Sequence, residues 1–279
     1  MGITTSTTAA GLIETLTADI NALLMQRVAL NGVFSTQPVK AGQLTVNFGE
    51  TLPVTAGVAI NAGAPTASVL TSVTKAATVG HYHKLYPIDS LLNSSLIYEA
   101  AVEQIVGGLA KTYDNAICIL AVGFTSNSQC DTTGSTDLTL DKFSECYGKL
   151  QATGYAPPYA AILHPVTFHK LAMDLAALNS LPKADEYLQN GYMGRLWGDL
   201  DIFVSSYVTA GGIGSSGSGY VNLICSRGAI GVAQNTPLVN IVVVPDITNT
   251  LGISVYGEMF FGCCEVNDQG GIAVLDQIG

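Results

Sequence analysis

The sequence predicts an α+β fold, and three observations carry the prediction. Apolar residues recur every three or four positions from Tyr98 to Leu120, which marks one long helix. The stretch from Thr139 to Ser205 alternates helical and strand patterns. From Tyr220 to Leu275 only strand patterns with turns between them remain. A chain of 279 residues can bury a substantial core, as one large domain or two ordinary ones, without help from disulfides or metal.

In chain order, Leu12, Ile13, Leu16, Ile20, Leu23, Leu24 and Val28 fall at helical spacing, and Asn31-Gly32 supplies a stop. A stretch dotted with Pro and Gly follows, Gln37 to Pro65, in which Leu44 to Phe48 alternates like a strand. Ser68 to Ile88 is rich in Val, Thr and Tyr and reads as an extended strand returning from that excursion. The two make a long two-stranded arm. Isolated hairpins bury too little to stand alone, so the arm is expected to lie against something, a neighbouring subunit being the natural candidate.

Asn93, Ser94 or Ser95 can cap the long helix, whose apolar face is Tyr98, Val102, Ile105, Val106, Leu109, Tyr113, Ala116, Ile117 and Leu120. Gly107-Gly108 in its middle costs about 1 kcal/mol per Gly relative to Ala, so the helix either bends or packs closely there. After the polar loop Thr125 to Asp137 come a helix (Thr139 to Thr153), a strand (Tyr159 to Leu163), a helix starting at Pro165 and running to Leu178, and a strand (Asp201 to Ser205). The Gly- and Ser-rich run Ala210 to Gly219 is a loop within this α/β unit. Strands are then expected at Tyr220 to Cys225, Ala229 to Ala233, Val239 to Val244, Ile253 to Phe261 and Ile272 to Leu275. No tandem repeat is evident.

Composition narrows the function classes. Charged residues make up 11% of the chain, against roughly 25% in ordinary soluble domains, so much of the surface reads as meant to be covered. A membrane is not the expected cover, because no run of roughly 18 or more apolar residues stands out. The longest, Ala116 to Phe124, reads as a buried helix end. The start, MGITTSTTAAGLIETL, has neither a basic leader nor an apolar core with a cleavage site, which implies synthesis in the cytoplasm. Met1, Gly2 and Ser6 satisfy the loose myristoylation consensus, but no basic cluster follows and the match reads as chance.

Net charge is −10, and from Asp174 onward ten acids face only Lys183, Arg195 and Arg227. That balance disfavours tight binding to phosphates, and no sequence-specific nucleic-acid binding is expected. It suits a container wall that must not stick to packaged DNA. The six cysteines, Cys118, Cys130, Cys146, Cys225, Cys263 and Cys264, show no CxxC spacing, so a disulfide framework is not expected.

Four places invite chemistry. Gly212-Ile213-Gly214-Ser215-Ser216-Gly217 fits GxGxxG, yet the following Tyr220 to Cys225 is a strand pattern, so no helix terminus would face a bound phosphate. His81 and His83 lie two apart in a predicted strand and share a face, where they could hold a metal, but no third ligand is identifiable. Packing, hydrogen bonding or a pH-sensitive contact are the other roles for that pair. His164, His169 and Cys146 raise a cysteine-histidine nucleophile, for which spacing alone cannot supply the contact. Cys146 sits inside a helix as a core residue, and Cys263-Cys264 is expected to put one thiol on each face of a strand. The residues thus name no catalytic, cofactor-binding or metal site.

The order of elements, with three stretches of sequence, resembles the major capsid proteins of tailed double-stranded DNA bacteriophages. YPIDSLLNSSLIYEAAVEQIVGGLAKTYDNAICIL is similar to that family's lead-in to its spine helix, with Asp89, Leu91, Leu92 and a late Asp114. YAAILHPVTFHKL is similar to its axial strand and helix, and GYMGRLWGDLDIFVSS to its Gly-rich turn leading into a strand. The resemblance implies the Hong Kong 97-type fold, with an N-arm at 1–38, an extended β-hairpin loop at 39–86, a peripheral domain with the spine helix at 87–136 and 236–279, and an axial domain at 137–235. It implies a structural subunit, no enzyme and no cofactor, self-assembling as pentamers and hexamers into an icosahedral head around the phage genome. Its place would be the virion, after assembly in the host cytoplasm.

The lack of a long charged helical extension at the N-terminus implies a separate scaffolding protein or an already processed chain, with a portal and a decoration or cement protein as further partners. Some members cross-link a loop lysine to an asparagine, and Lys40, Lys75 and Lys84 lie in or near the predicted loop, but none matches that pattern. Two other readings stay open: an encapsulin-like compartment shell of the same fold, and a soluble hydrolase using Cys146 or a histidine.

Overall fold

Helix α1 (Ser95–Ile119) organises the molecule, because its apolar face meets two sheets at once. The structure is a computed structural model, and it describes residues 28–40, 42–49, 74–88, 95–124, 130–131, 138–177, 192–211, 219–246 and 252–277. The predicted N-terminal helix before Val28, residues 50–73 of the predicted arm, Asp89 to Ser94, most of the loop after Phe124, and the GxGxxG run 212–217 lie outside them. Val102, Ile105, Val106, Leu109, Tyr113 and Ile117 are buried at helical spacing, while Glu103, Gln104, Lys111 and Asn115 face outward. Gly107-Gly108 does not interrupt the helix. A 3-10 turn (Leu120–Gly123) carries it to the buried Phe124.

One sheet has four strands in the order β1 (Ser35–Pro38), β11 (Ile230–Asp246), β12 (Gly252–Glu265), β4 (Gly80–Ile88). β1 runs parallel to β11, and the other pairs are antiparallel. The predicted strands at 229–233 and 239–244 are one strand with a register shift between Gln234 and Val239. Such a shift bends a strand without ending it. Gly257 lets α1 lie close on β12, since a Cβ there would stand 2.4 Å from Ile105 Cγ2.

The second sheet follows the order β5 (Cys130–Asp131), β13 (Gly271–Gln277), β10 (Gly219–Ser226), β6 (Tyr159–Leu163), β8 (Leu200–Val204), β7 (Tyr192–Leu196), with β9 (Ala210–Gly211) beside β10. Helices α2 (Leu140–Ala152) and α3 (Pro165–Ala177) belong to this unit. Thr139 caps α2 by accepting from the Lys142 backbone N–H. All five residues of β6 are buried. Ala160 and Ile162 join the core around α1, whereas Tyr159, Ala161 and Leu163 join a second core with Phe143, Tyr147 and Leu150 of α2. A strand covered on both faces reads as a continuous apolar run, which is why YAAIL shows no alternation.

A third, two-stranded sheet pairs β2 (Thr45–Gly49) with β3 (Thr74–Thr78). Its inward residues Val46, Phe48 and Ala77 pack with Ala233 and Val266 of the body. The expected single strand from Ser68 to Ile88 therefore divides at Val79 into β3 and β4, and the described base of the arm rests on its own chain.

Three further expectations need correction. β13 pairs with β10 in the second sheet, so the chain end belongs with 137–235 and not with the four-stranded sheet. Its closing pattern looks alike in either sheet, and only pairing separates the two. Cys146 is disulfide-bonded, although Cys118, Cys225, Cys263 and Cys264 are free; sequence spacing carries no information on which thiols folding brings together. Finally, Val102–Gly123 is long and apolar enough to cross a membrane by length and composition. Half of it is buried inside the protein, as the central helix of a folded core requires.

Candidate functional site

His81 and His83 stand on the face of β4 turned away from α1, with their rings 5.4 Å apart. His81 stacks on Phe260 of β12 at 4.4 Å and 7°. Its Nε2 lies 3.2 Å from Glu258 Oε2 and 3.3 Å from Tyr256 Oη. Asn240 donates to the other Glu258 oxygen at 2.9 Å. Among the described residues no group of three or more His, Cys, Asp or Glu side chains is arranged to hold a metal. The pair instead forms part of a half-exposed aromatic surface. Beside it a cleft of about 370 Å³ is lined by Val39, Leu44, Val79, His81 and Phe260.

The candidate nucleophile set is not assembled. Cys146 is buried and disulfide-bonded, which removes the thiolate that attack requires. His164 stacks on Tyr220 with centroids 3.5 Å apart, and its Nδ1 accepts from the Val166 N–H at 3.3 Å. Burial lowers its pKa, against the opposing pull of Asp276. His169 lies beside Phe168. Burial also pushes the free thiols up, Cys118 and Cys263 each to about 12. Cys263 belongs to the core around α1 and Cys264 to the cluster under β2 and β3, so the adjacent thiols do take opposite faces.

Four polar groups with buried partners among the described residues were legible only in part. Asp276 of β13 is fully buried and accepts from the Leu138 N–H at 3.0 Å and Thr167 Oγ1 at 2.6 Å, with Lys170 Nζ at 3.4 Å. Asn222, also fully buried, donates to Thr167 Oγ1 and the Val274 carbonyl, and accepts from the His164 N–H. Asp201 receives both Arg195 Nε at 2.8 Å and Arg227 at 2.7 Å. Asp114 accepts from the Ala29 and Leu30 N–H groups. Asp114 and Asp276 tie together elements far apart in sequence, whereas Asp201 joins β7 to the turn after β10. No local motif announces such ties, because the partners are backbone amides or single side chains.

Lys40 lines the cleft near His81, Lys75 lies opposite Phe48 in the small sheet, and Lys84 lies opposite Gly257. β9 and β10 pair across the GxGxxG run, and β10 follows it as a strand. The helix that phosphate binding needs is therefore not what comes next.

No protein-family model matches the chain, and no curated protein matches it. Solved structures do. The chain is similar to the capsid structure of the cyanophage P-SCSP1u at TM-score 0.62 and 10% identity, covering 91% of this chain and 89% of that one. It is similar to the capsid of Ralstonia phage GP4 at TM-score 0.62 and 11% identity, covering 89% and 88%. The chain has the fold of these phage capsid proteins. The capsid of a native GTA particle is a further likeness, at TM-score 0.58 and 12% identity over 90% of both chains. At such identity, what the chains share is the arrangement of helix and sheets over nearly their whole length.

Proposed function

We propose that the chain is the major capsid protein of a tailed double-stranded DNA phage, a structural subunit without catalytic residues. The observation that carries this reading is the likeness of about nine-tenths of the chain to capsid structures over about nine-tenths of their own length. Low charge content, 11%, and the half-exposed aromatic face around His81 support it, since a shell subunit covers much of its surface with neighbours.

On this reading the Hong Kong 97-type parts are the N-arm (1–38), the extended loop (39–86), a peripheral domain (87–136 with 236–279) whose spine is α1, and an axial domain (137–235), with β13 counted to the axial unit because it pairs with β10. The subunit assembles with itself as pentamers and hexamers of an icosahedral head in the host cytoplasm and ends in the virion. A separate scaffolding protein, a portal and a decoration protein are its expected partners.

Electron microscopy of the purified chain tests the proposal. Closed shells, tubes or ring-shaped capsomers are expected, and nucleic acid inside shells recovered from the host separates a phage head from a compartment that encloses enzymes. A persistent monomer at all concentrations would reject the proposal.

A further inference from the structure

Cys146 of α2 is disulfide-bonded, and the rest of the chain narrows its partner to one residue. Of the six cysteines, Cys118, Cys225, Cys263 and Cys264 are free. Cys130 is the one left. Packing agrees with the count. Cys118, Cys225 and Cys263 lie in or against the core around α1, and Cys264 lies against the cluster under β2 and β3, whereas Cys146 belongs to the second core.

Strand register carries position 130 to that same core. β5 (Cys130–Asp131) runs parallel to β13 with Cys130 opposite Val274, and residues paired across neighbouring strands share one face of a sheet. Val274 is buried in one cluster with Phe143, Cys146 and Leu150 of α2. Position 130 therefore stands on the α2 face of the second sheet.

β5 has two residues and is the outermost described strand of its sheet, paired with β13. So short an edge opens locally at little cost. A bond between positions 130 and 146 fastens it to a helix whose Phe143, Cys146 and Leu150 are fully buried. The cytoplasm keeps thiols reduced, and the burial of Cys146 keeps an oxidant away until the edge lifts.

We propose that Cys130 and Cys146 form a redox latch: two thiols while the chain is in the reducing cytoplasm, and a disulfide that pins β5 to α2 once particles leave the cell. In closing, each thiol gives up one proton and one electron, the S–S bond forms, and dioxygen takes both protons and both electrons to become hydrogen peroxide. A thiol reductant reopens the bond by exchange. Where the latch closes rests on the capsid reading. The pairing of the two residues does not.

Alkylation of the full chain in urea, with the added groups counted by mass, tests the pairing. The air-oxidised chain should take four groups and the reduced chain six, while Cys130→Ser should take five in either state. Six groups on the oxidised wild type, or three on oxidised Cys130→Ser, overturn the pairing. Melting tests the latch on the same two preparations. The oxidised chain should melt at least about 3 °C above the reduced one, as closing a short loop requires. A smaller gap, or a gap that persists in Cys130→Ser, overturns the latch.

Timing is read by trapping the chain with acid inside host cells before alkylation. Six groups are expected there and four on particles released into air. Four already inside the cell overturn closure after release. The counts on purified subunits need no shell, so a chain that never assembles rejects the capsid reading and leaves the pairing to stand or fall by itself.

Discussion

Asp114 accepts the backbone N–H of Leu30 at 3.3 Å, joining residues 84 positions apart, and its second oxygen takes the Ala29 N–H at 3.2 Å. The carboxylate sits on α1 and is 2% exposed. It holds the segment that leads through Val33 and Phe34 into β1, all within the core around α1. Burial raises its pKa to about 6, while the two backbone N–H groups pull the other way.

Stability should therefore depend on pH through this group. A carboxyl whose folded pKa lies above its unfolded value contributes stability that is full below the unfolded pKa, near 3.8, and lost as pH rises through about 6. The loss amounts to about 3 kcal/mol at most, at roughly 1.4 kcal/mol per pKa unit. Thermal melts from pH 4 to 7 should show the wild type losing stability relative to Asp114→Asn as pH rises. Parallel profiles for the two proteins would contradict the assignment. Tyr113 and Cys118 feel the same carboxylate, and burial holds both neutral throughout this range.

Asp276 predicts a larger effect. Replacing it with Ala strands Thr167 Oγ1 and the Leu138 N–H in the interior and leaves Lys170 without that partner. Removing one member of a buried charged network costs about 3–5 kcal/mol. Urea unfolding of Asp276→Ala should show a loss of this size. A loss below about 1 kcal/mol, the level of an exposed ion pair, would contradict the network.

Gly257 and Ile105 should behave as a coupled pair. Gly257→Ala places a Cβ 2.4 Å from Ile105 Cγ2 and should cost about 1–3 kcal/mol by overpacking. Ile105→Ala, which removes Cγ2, alone should cost about 2–5 kcal/mol. The double variant should lose less than the two costs combined, and additive losses in denaturant unfolding would show that α1 does not press on β12 there.

The small sheet separates folding from assembly. Gly49 and Thr74 are paired neighbours at its last described rung, so residues 50–73 can be replaced by Asn-Gly, which suits a two-residue hairpin. The body, including the packing of Phe48 on Gly231, should melt within a few degrees of the wild type. Particles should no longer form if that excursion contacts neighbours. Normal particles from the shortened chain would sink the extended-loop part of the proposal.

Much of the architecture was readable because it repeats locally. Periods near 3.6 announced α1, α2 and α3 within a residue or two, and Tyr159–Leu163 appeared as predicted. The edge strand β7 was read only as part of a Gly-rich turn, and β1 straddles the start of the Pro-dotted stretch at Gln37, where no strand was read. Short strands bury little of their own and owe their form to a neighbour.

The sequence by itself determined the helices, most of the strands and the scarcity of charge, since these are properties of neighbouring residues and of composition. Tertiary structure alone decided that β13 closes the second sheet, that Cys146 is disulfide-bonded, and that Asp114, Asp201 and Asp276 find partners up to 138 residues away. It also decided that the lone Trp197 stands half out of the surface in a left-handed turn. Pairing partners, burial and backbone handedness arise from contacts distant in sequence. A periodic pattern shows that a residue needs a cover, and only the folded chain shows what covers it.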